Sequence, residues 1–171
     1  SIKKILRRSV DARKKYAVVI NYRVEVETEA INSDKMLSRG FSETVKTENE
    51  SPIIKKIKTE KEILIIGAGP AGLFAALRLI DAGFSVTILE RGKKAEERMR
   101  DIELLETEGI LNSESNAVFG EGGAGTYSDG KLTSRIHRGD IEYFFSRMVE
   151  FGAHERILFE SKPHVGSDVL R

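Results

Sequence analysis

One hexapeptide restricts the fold of this chain more tightly than anything in its composition. It is Gly67-Ala68-Gly69-Pro70-Ala71-Gly72, set directly behind the short aliphatic run EILII (62–66). Such a run suits a central parallel strand buried on both faces. After it, Leu73, Ala76, Leu77 and Ile80 recur at helical spacing, Gly83 stops the helix, and SVTILE (85–90) reads as a second strand. Strand, glycine turn, helix and strand within about 30 residues make a βαβ crossover. In a G-x-G-x-x-G turn each glycine has its own task. Gly67 permits the sharp exit from the strand, Gly69 lets backbone approach a pyrophosphate, and Gly72 lets helix and strand lie close. Pro70 falls in the first helical turn, where a missing N–H does no harm, and the free amides around Ala71 attract a diphosphate. Glu90, eighteen residues beyond Gly72, is placed to accept hydrogen bonds from a ribose. The pattern leaves both FAD and NAD(P) open; in the second case the carboxylate at 90 opposes a 2′-phosphate and prefers NAD.

Two stretches carry a resemblance to known families. GAGPAGLFAALRL followed by VTILERG is similar to the N-terminal signature of FAD-binding domains in the glutathione-reductase-like superfamily, over about residues 62–98. It places Arg91 inside the signature and implies that Arg98 lies near the FAD diphosphate. Read as a helix residue alone, Arg98 is equally a solvated charge. ILNSESNAVFGEGGAGTYSDGKLTSRI (110–136) resembles the signature of a widespread family of large FAD-dependent dehydrogenases. DARKKYAVVINYRVEVE (11–27) and KPHVGSD (162–168) resemble further segments of that family. The resemblance implies FAD as cofactor, NAD(P)H as a candidate electron donor, and a glycine loop packed against the flavin. Gly122, Gly123 and Gly125 suit that role because they take positive φ and leave room for a planar ring. Ala124, Thr126 and Ser128 are small, and the two hydroxyls can donate to flavin or phosphate oxygens. Lys131 either sets positive charge near a reduced flavin or is an ordinary surface lysine. Asp129 is expected to build the Ser-Asp-Gly turn, and Glu121 to act as a general base or a loop hydrogen-bonding group.

The expected fold class is therefore α/β. A partial Rossmann-type FAD/NAD(P)-binding domain over 51–171 follows a small basic α+β module and polar linker over 1–50. Residues 16–27 alternate as a strand with one wet side; Ile2 to Leu6 read as a partner strand or a helix end, and Asp34 to Arg39 as weakly helical. A charged helix is expected from about Lys94 to Glu108, ending at Gly109. Another is expected between Asp140 as N-cap and Gly152, with Ile141, Phe144, Phe145, Met148 and Val149 as its apolar face. The first fifteen residues hold seven basic side chains and one acid. The cluster reads as a solvated basic face ahead of a nucleic-acid surface, because no aromatic residue is interleaved before Tyr16.

Several classes are excluded. There is no cysteine, hence no disulfide, thiolate catalysis or cysteine-ligated cluster. His137, His154 and His164 lack metal-ligand spacing; His164 reads as a turn histidine ahead of a group near substrate or flavin. No run of eighteen apolar residues and no signal-peptide pattern occurs, so the default is a cytoplasmic protein without a membrane span. Members of the resembled family are much longer, and the chain is accordingly expected to be an N-terminal fragment that needs the rest of its polypeptide. Its expected role is the FAD-binding portion of an oxidoreductase acting on an unknown substrate. The alternatives are a non-catalytic dinucleotide-binding fragment and an NAD-binding protein.

Overall fold

The computed structural model of the chain describes residues 1–27, 38, 42, 54–128, 130–132 and 138–170. In order, it contains β1 (Ile2–Asp11), β2 (Val19–Val26), β3 (Glu62–Ile66), α1 (Pro70–Asp81), β4 (Ser85–Leu89) and α2 (Ala95–Glu108). A 3₁₀ turn (Gly123–Tyr127), α3 (Arg138–Glu150), a second 3₁₀ turn (Glu155–Leu158) and α4 (Ser167–Leu170) follow. The fold is mixed α/β. It divides into two compact units, Ser1–Ser51 with Thr133–Pro163, and Pro52–Leu132 with His164–Arg171.

The first unit is built on an antiparallel pair. β1 meets β2 with Ile5 opposite Val24, Arg8 opposite Tyr22 and Val10 opposite Ile20. The opening residues are thus strand, and they run to Asp11. The described residues 138–163 cluster with the N-terminal strands. The reason is backbone pairing. Arg8 N donates to Phe159 O at 2.8 Å and Ser161 N to Arg8 O at 2.9 Å, so Glu160 runs alongside β1. The Arg8 guanidinium closes the contact with a 2.9 Å ion pair to Glu160. α3 starts at Arg138, two residues before Asp140, which therefore lies inside the helix and is not its N-cap. Gly152 ends the following turn with φ +105°. Ile141, Phe144, Phe145, Met148 and Val149 are half-buried, and Ala153 and Ile157 are buried beyond them. The weakly helical pattern at 34–39 lies outside the described residues apart from Ser38.

The second unit holds the βαβ crossover, a partial Rossmann-type fold. β3 and β4 are parallel and in register from Glu62 opposite Ser85 to Ile66 opposite Leu89. Side chains alternate along both strands, so one face carries Ile63, Ile65, Val86 and Ile88, all half-buried. The expectation that β3 is buried on both faces is not met. Leu64 is 56% and Ile66 76% exposed, because the described residues cover only one face of the pair. α1 leaves β3 through the glycine turn and ends at Ala82 and Gly83. Gly83 has φ +94°, and a Cβ there would sit 2.5 Å from Ile57 O, where the segment before β3 crosses the helix end. The charged helix α2 ends as expected, with Gly109 left-handed at φ 71°.

Candidate dinucleotide site

The three glycines of the turn meet three different physical demands. Gly67 has φ +101°, a conformation that L side chains rarely adopt. A Cβ on Gly72 would lie 2.1 Å from Gly67 O and 3.3 Å from Ile65 Cγ2, so helix and strand can touch here only without a side chain. Gly69 has ordinary backbone angles, φ −76° and ψ 175°. A Cβ on it would meet nothing within 4 Å, so its outer side is open. Pro70 begins α1, and the first intrahelical bond runs from Leu73 N to Gly69 O at 3.0 Å. The amides of Ala71 and Gly72 stand ahead of that bond, in the turn where a helix leaves its donors unsatisfied and its dipole positive.

Glu90 closes the other side. Its carboxylate accepts from Ala68 N and from Gly92 N, both at 2.7 Å. These backbone amides, Ala68 first, hold the carboxyl below the usual carboxylate range against the opposing effect of burial. Two bonds leave lone pairs for further donors, since a carboxylate offers about four acceptor positions. Glu90 is thus ionised, half-buried and tied to the turn it flanks.

The structure also brings the second glycine motif onto the first. Gly122 N donates to Ala68 O at 2.8 Å, and a Cβ on Gly123 would lie 3.3 Å from Pro70 Cδ. Gly122 and Gly123 are left-handed, with φ 77° and 63°, whereas Gly125 needs no positive φ and is open. Ala124 and Gly125 are exposed. Thr126 is buried and its hydroxyl turns inward, donating to Glu121 O at 3.3 Å. Ser128 Oγ donates to Gly125 O at 2.8 Å and accepts from Gly130 N at 3.2 Å. Both hydroxyls therefore serve the loop. Lys131 is exposed and pairs through backbone with His164, and Val165 N donates to Gly130 O at 2.9 Å, so 130–131 and 164–165 lie side by side. Asp129 and His137 lie outside the described residues. His154 caps the second 3₁₀ turn, its Nδ1 accepting from Arg156 N at 3.1 Å.

The two arginines part company. Arg91 is exposed and pairs at 2.9 Å with Glu114. Arg98 is fully buried, so it is not a solvated helix charge. Its Nε and Nη2 donate to Asn116 O at 3.1 and 2.9 Å, Nη2 also to Gly123 O at 3.0 Å, and Nη1 to Glu121 O. Glu121 has its side chain on Ala95 N at 2.9 Å, capping α2. A second cluster, which the sequence reading did not single out, stands behind the loop. Lys93 Nζ lies 3.0 and 2.9 Å from the Asp101 oxygens, and the buried Ser115 hydroxyl donates to the same carboxylate. The Ser115 hydroxyl and then the Lys93 ammonium hold Asp101 below its ordinary range. Among the described residues no three His, Cys, Asp or Glu side chains are grouped to hold a metal ion, and no helix is long and apolar enough to cross a membrane.

A parallel βαβ unit with a glycine turn, an open Gly69 and an acid behind β4 defines a dinucleotide-binding class, and comparison with known proteins narrows it. Residues 60–113 match the FAD binding domain family, and residues 1–27 a domain of unknown function. An uncharacterised protein of Clostridium beijerinckii is 39% identical over 172 aligned positions, covering 98% of this chain and 32% of that protein. The small chain of Bacillus subtilis glutamate synthase [NADPH] is 50% identical over 44 residues, 26% of this chain and 9% of its own. Lysine-specific histone demethylase 1 homolog 3 of Arabidopsis thaliana is 64% identical over 31 residues, 18% of this chain and 2% of its own. The chain thus spans about a third or less of the length of each of these relatives. Together the matches support a family of FAD-dependent oxidoreductases.

Proposed function

We propose that Pro52–Leu132 holds the ADP half of FAD, and that the chain is the cofactor-binding portion of an FAD-dependent oxidoreductase. The observation that carries this is the contrast between Gly72, where a Cβ would be 2.1 Å from Gly67 O, and Gly69, where a Cβ would meet nothing within 4 Å. Packing accounts for the first glycine and leaves the second for something that approaches from outside. In this reading the amides of Gly69, Ala71 and Gly72 hold the diphosphate, Glu90 takes the ribose hydroxyls, and the exposed Ala124–Gly125 segment faces the flavin. When bound, FAD supplies hydride and electron transfer, so the chain's own residues need only bind, orient and shield. The match of residues 60–113 favours FAD over NAD as the resident nucleotide. The NADPH in the printed name of one relative, the glutamate synthase small chain, supports NAD(P)H as the electron donor.

The test is a visible spectrum of the purified chain before and after adding FAD, followed by anaerobic addition of NADH or NADPH. Flavin bands that remain with the protein through gel filtration support the reading, and bleaching by the nicotinamide supports the donor. A chain that stays folded by circular dichroism and leaves FAD entirely free refutes it.

A further inference from the structure

We infer that Arg98 is a positioning residue of the proposed FAD site, which fixes the glycine loop over the 67–72 turn and does not itself touch the cofactor. The inference rests on the FAD reading above. Arg98 is fully buried, and four hydrogen bonds tie it to three carbonyls, those of Asn116, Glu121 and Gly123. Its guanidinium carbon lies 4.8 Å from the centre of the Tyr127 ring, so the loop covers one of its faces. A buried cation is costly unless its donors are satisfied, and this one forms no carboxylate ion pair among the described residues. The carbonyls of Asn116, Glu121 and Gly123 meet its donors, the Glu90 carboxylate adds an electrostatic attraction, and residues 121–123 are held in return.

Peptide planarity carries that hold to the site. In a trans peptide the N–H points away from the C=O. The Glu121 carbonyl turns in to Arg98, and the N–H of the same peptide, on Gly122, reaches Ala68 O at 2.8 Å. The Gly123 carbonyl also turns in, at 3.0 Å, which sends the Ala124 N–H away from the guanidinium at an exposed residue. The chain can cross the arginine so closely because residue 120 is glycine; a Cβ there would lie 2.4 Å from Arg98 Cδ. A lysine cannot replace the fork, since one ammonium presents its donors from a single point.

The experiment compares the full chain with Arg98→Lys, Arg98→Met and Tyr127→Leu, the last keeping the guanidinium while removing the ring it faces. Amide hydrogen exchange is read without cofactor, and FAD affinity by flavin fluorescence. Both Arg98 variants are expected to lose at least tenfold protection at Glu121 and Gly122 while β3 and α1 keep theirs, and to bind FAD at least tenfold more weakly. Tyr127→Leu is expected to shift both readouts the same way by less. Weakened FAD binding with unchanged loop exchange overturns the inference in favour of direct contact, and a loosened loop with unchanged affinity overturns it too. If Arg98→Met does not fold, a Tyr127→Leu chain that folds with wild-type exchange and affinity overturns it. Failure of the unsubstituted chain to bind FAD is a separate result that removes the cofactor reading itself.

Discussion

Replacing Gly72 by alanine and Gly69 by alanine adds the same methyl group three residues apart, with opposite consequences. At Gly72 the new Cβ would stand 2.1 Å from Gly67 O, against an ordinary contact of at least 3.4 Å, so helix and strand must part by about 1.3 Å. The opposing atom is backbone and cannot swing aside. Overpacking of this kind typically costs about 1–3 kcal/mol, and in a chain of this size each kcal/mol lowers the melting temperature by about 2–4 °C. At Gly69 the methyl group points into open space at backbone angles that alanine accepts. Removing glycine's freedom from the unfolded chain stabilises by about 0.4–1 kcal/mol where no strain results. Gly72→Ala is therefore expected to melt several degrees below the parent, and Gly69→Ala at or slightly above it. FAD titration reverses the emphasis: Gly69→Ala, folded and stable, is expected to bind at least tenfold more weakly because its methyl group stands where the diphosphate approaches. Thermal melts by circular dichroism and flavin fluorescence read the two effects separately. A Gly72→Ala chain as stable as Gly69→Ala would refute the packing argument, and undiminished FAD binding by Gly69→Ala would refute the approach argument.

Glu90→Gln offers one acceptor oxygen where the carboxylate serves the Ala68 and Gly92 amides with two; a loss of about 1 kcal/mol is expected in urea denaturation. Both Glu90, through the amides of Ala68 and Gly92, and Asp101, through Ser115 and Lys93, are held below the carboxylate range. Groups with a lowered folded pKa bind protons more readily in the unfolded chain, so their contribution is complete above about pH 4 and is lost as pH falls through the folded values. The urea midpoint should accordingly drop below about pH 4, and drop less in a Glu90→Gln/Asp101→Asn double variant; a midpoint that rises on acidification contradicts the assignment. Gly83→Ala must strain φ +94° and meet Ile57 O at 2.5 Å, and a cost of about 1–3 kcal/mol is expected. A chain unaffected in its thermal melt would show that the Ile57 segment does not cross α1 there.

What the sequence made legible was what neighbours in sequence decide. The βαβ order, the separate duties of Gly67 and Gly72 and the end of α2 at Gly109 all follow from residues a few positions apart. The reach of β1 to Asp11 and its pairing with Glu160 did not, since no local pattern announces a partner about 150 residues away. Arg98 shows the same limit at the site. Its carbonyl partners lie 18 to 25 residues along the chain, and a carbonyl has no residue type by which to be recognised. The Lys93, Asp101 and Ser115 cluster was missed because its members, 8 and 14 residues apart, sit on a loop, a helix and a second loop, so the period of no single element relates them. Thr126 was expected to serve a ligand from its place in the resembled glycine motif and its small hydroxyl side chain; a hydroxyl's direction is set by the fold of its loop, and here it points to Glu121 O.

The grip of Glu90 on Ala68 and Gly92 has a kinetic consequence. Two turns already fastened to one carboxylate have little freedom left to surrender, so an arriving nucleotide should meet a finished receptacle and associate in one fast exponential. With Gln at position 90 one of the two turns slips, and the same encounter should acquire a slower second phase as the peptide settles around its guest.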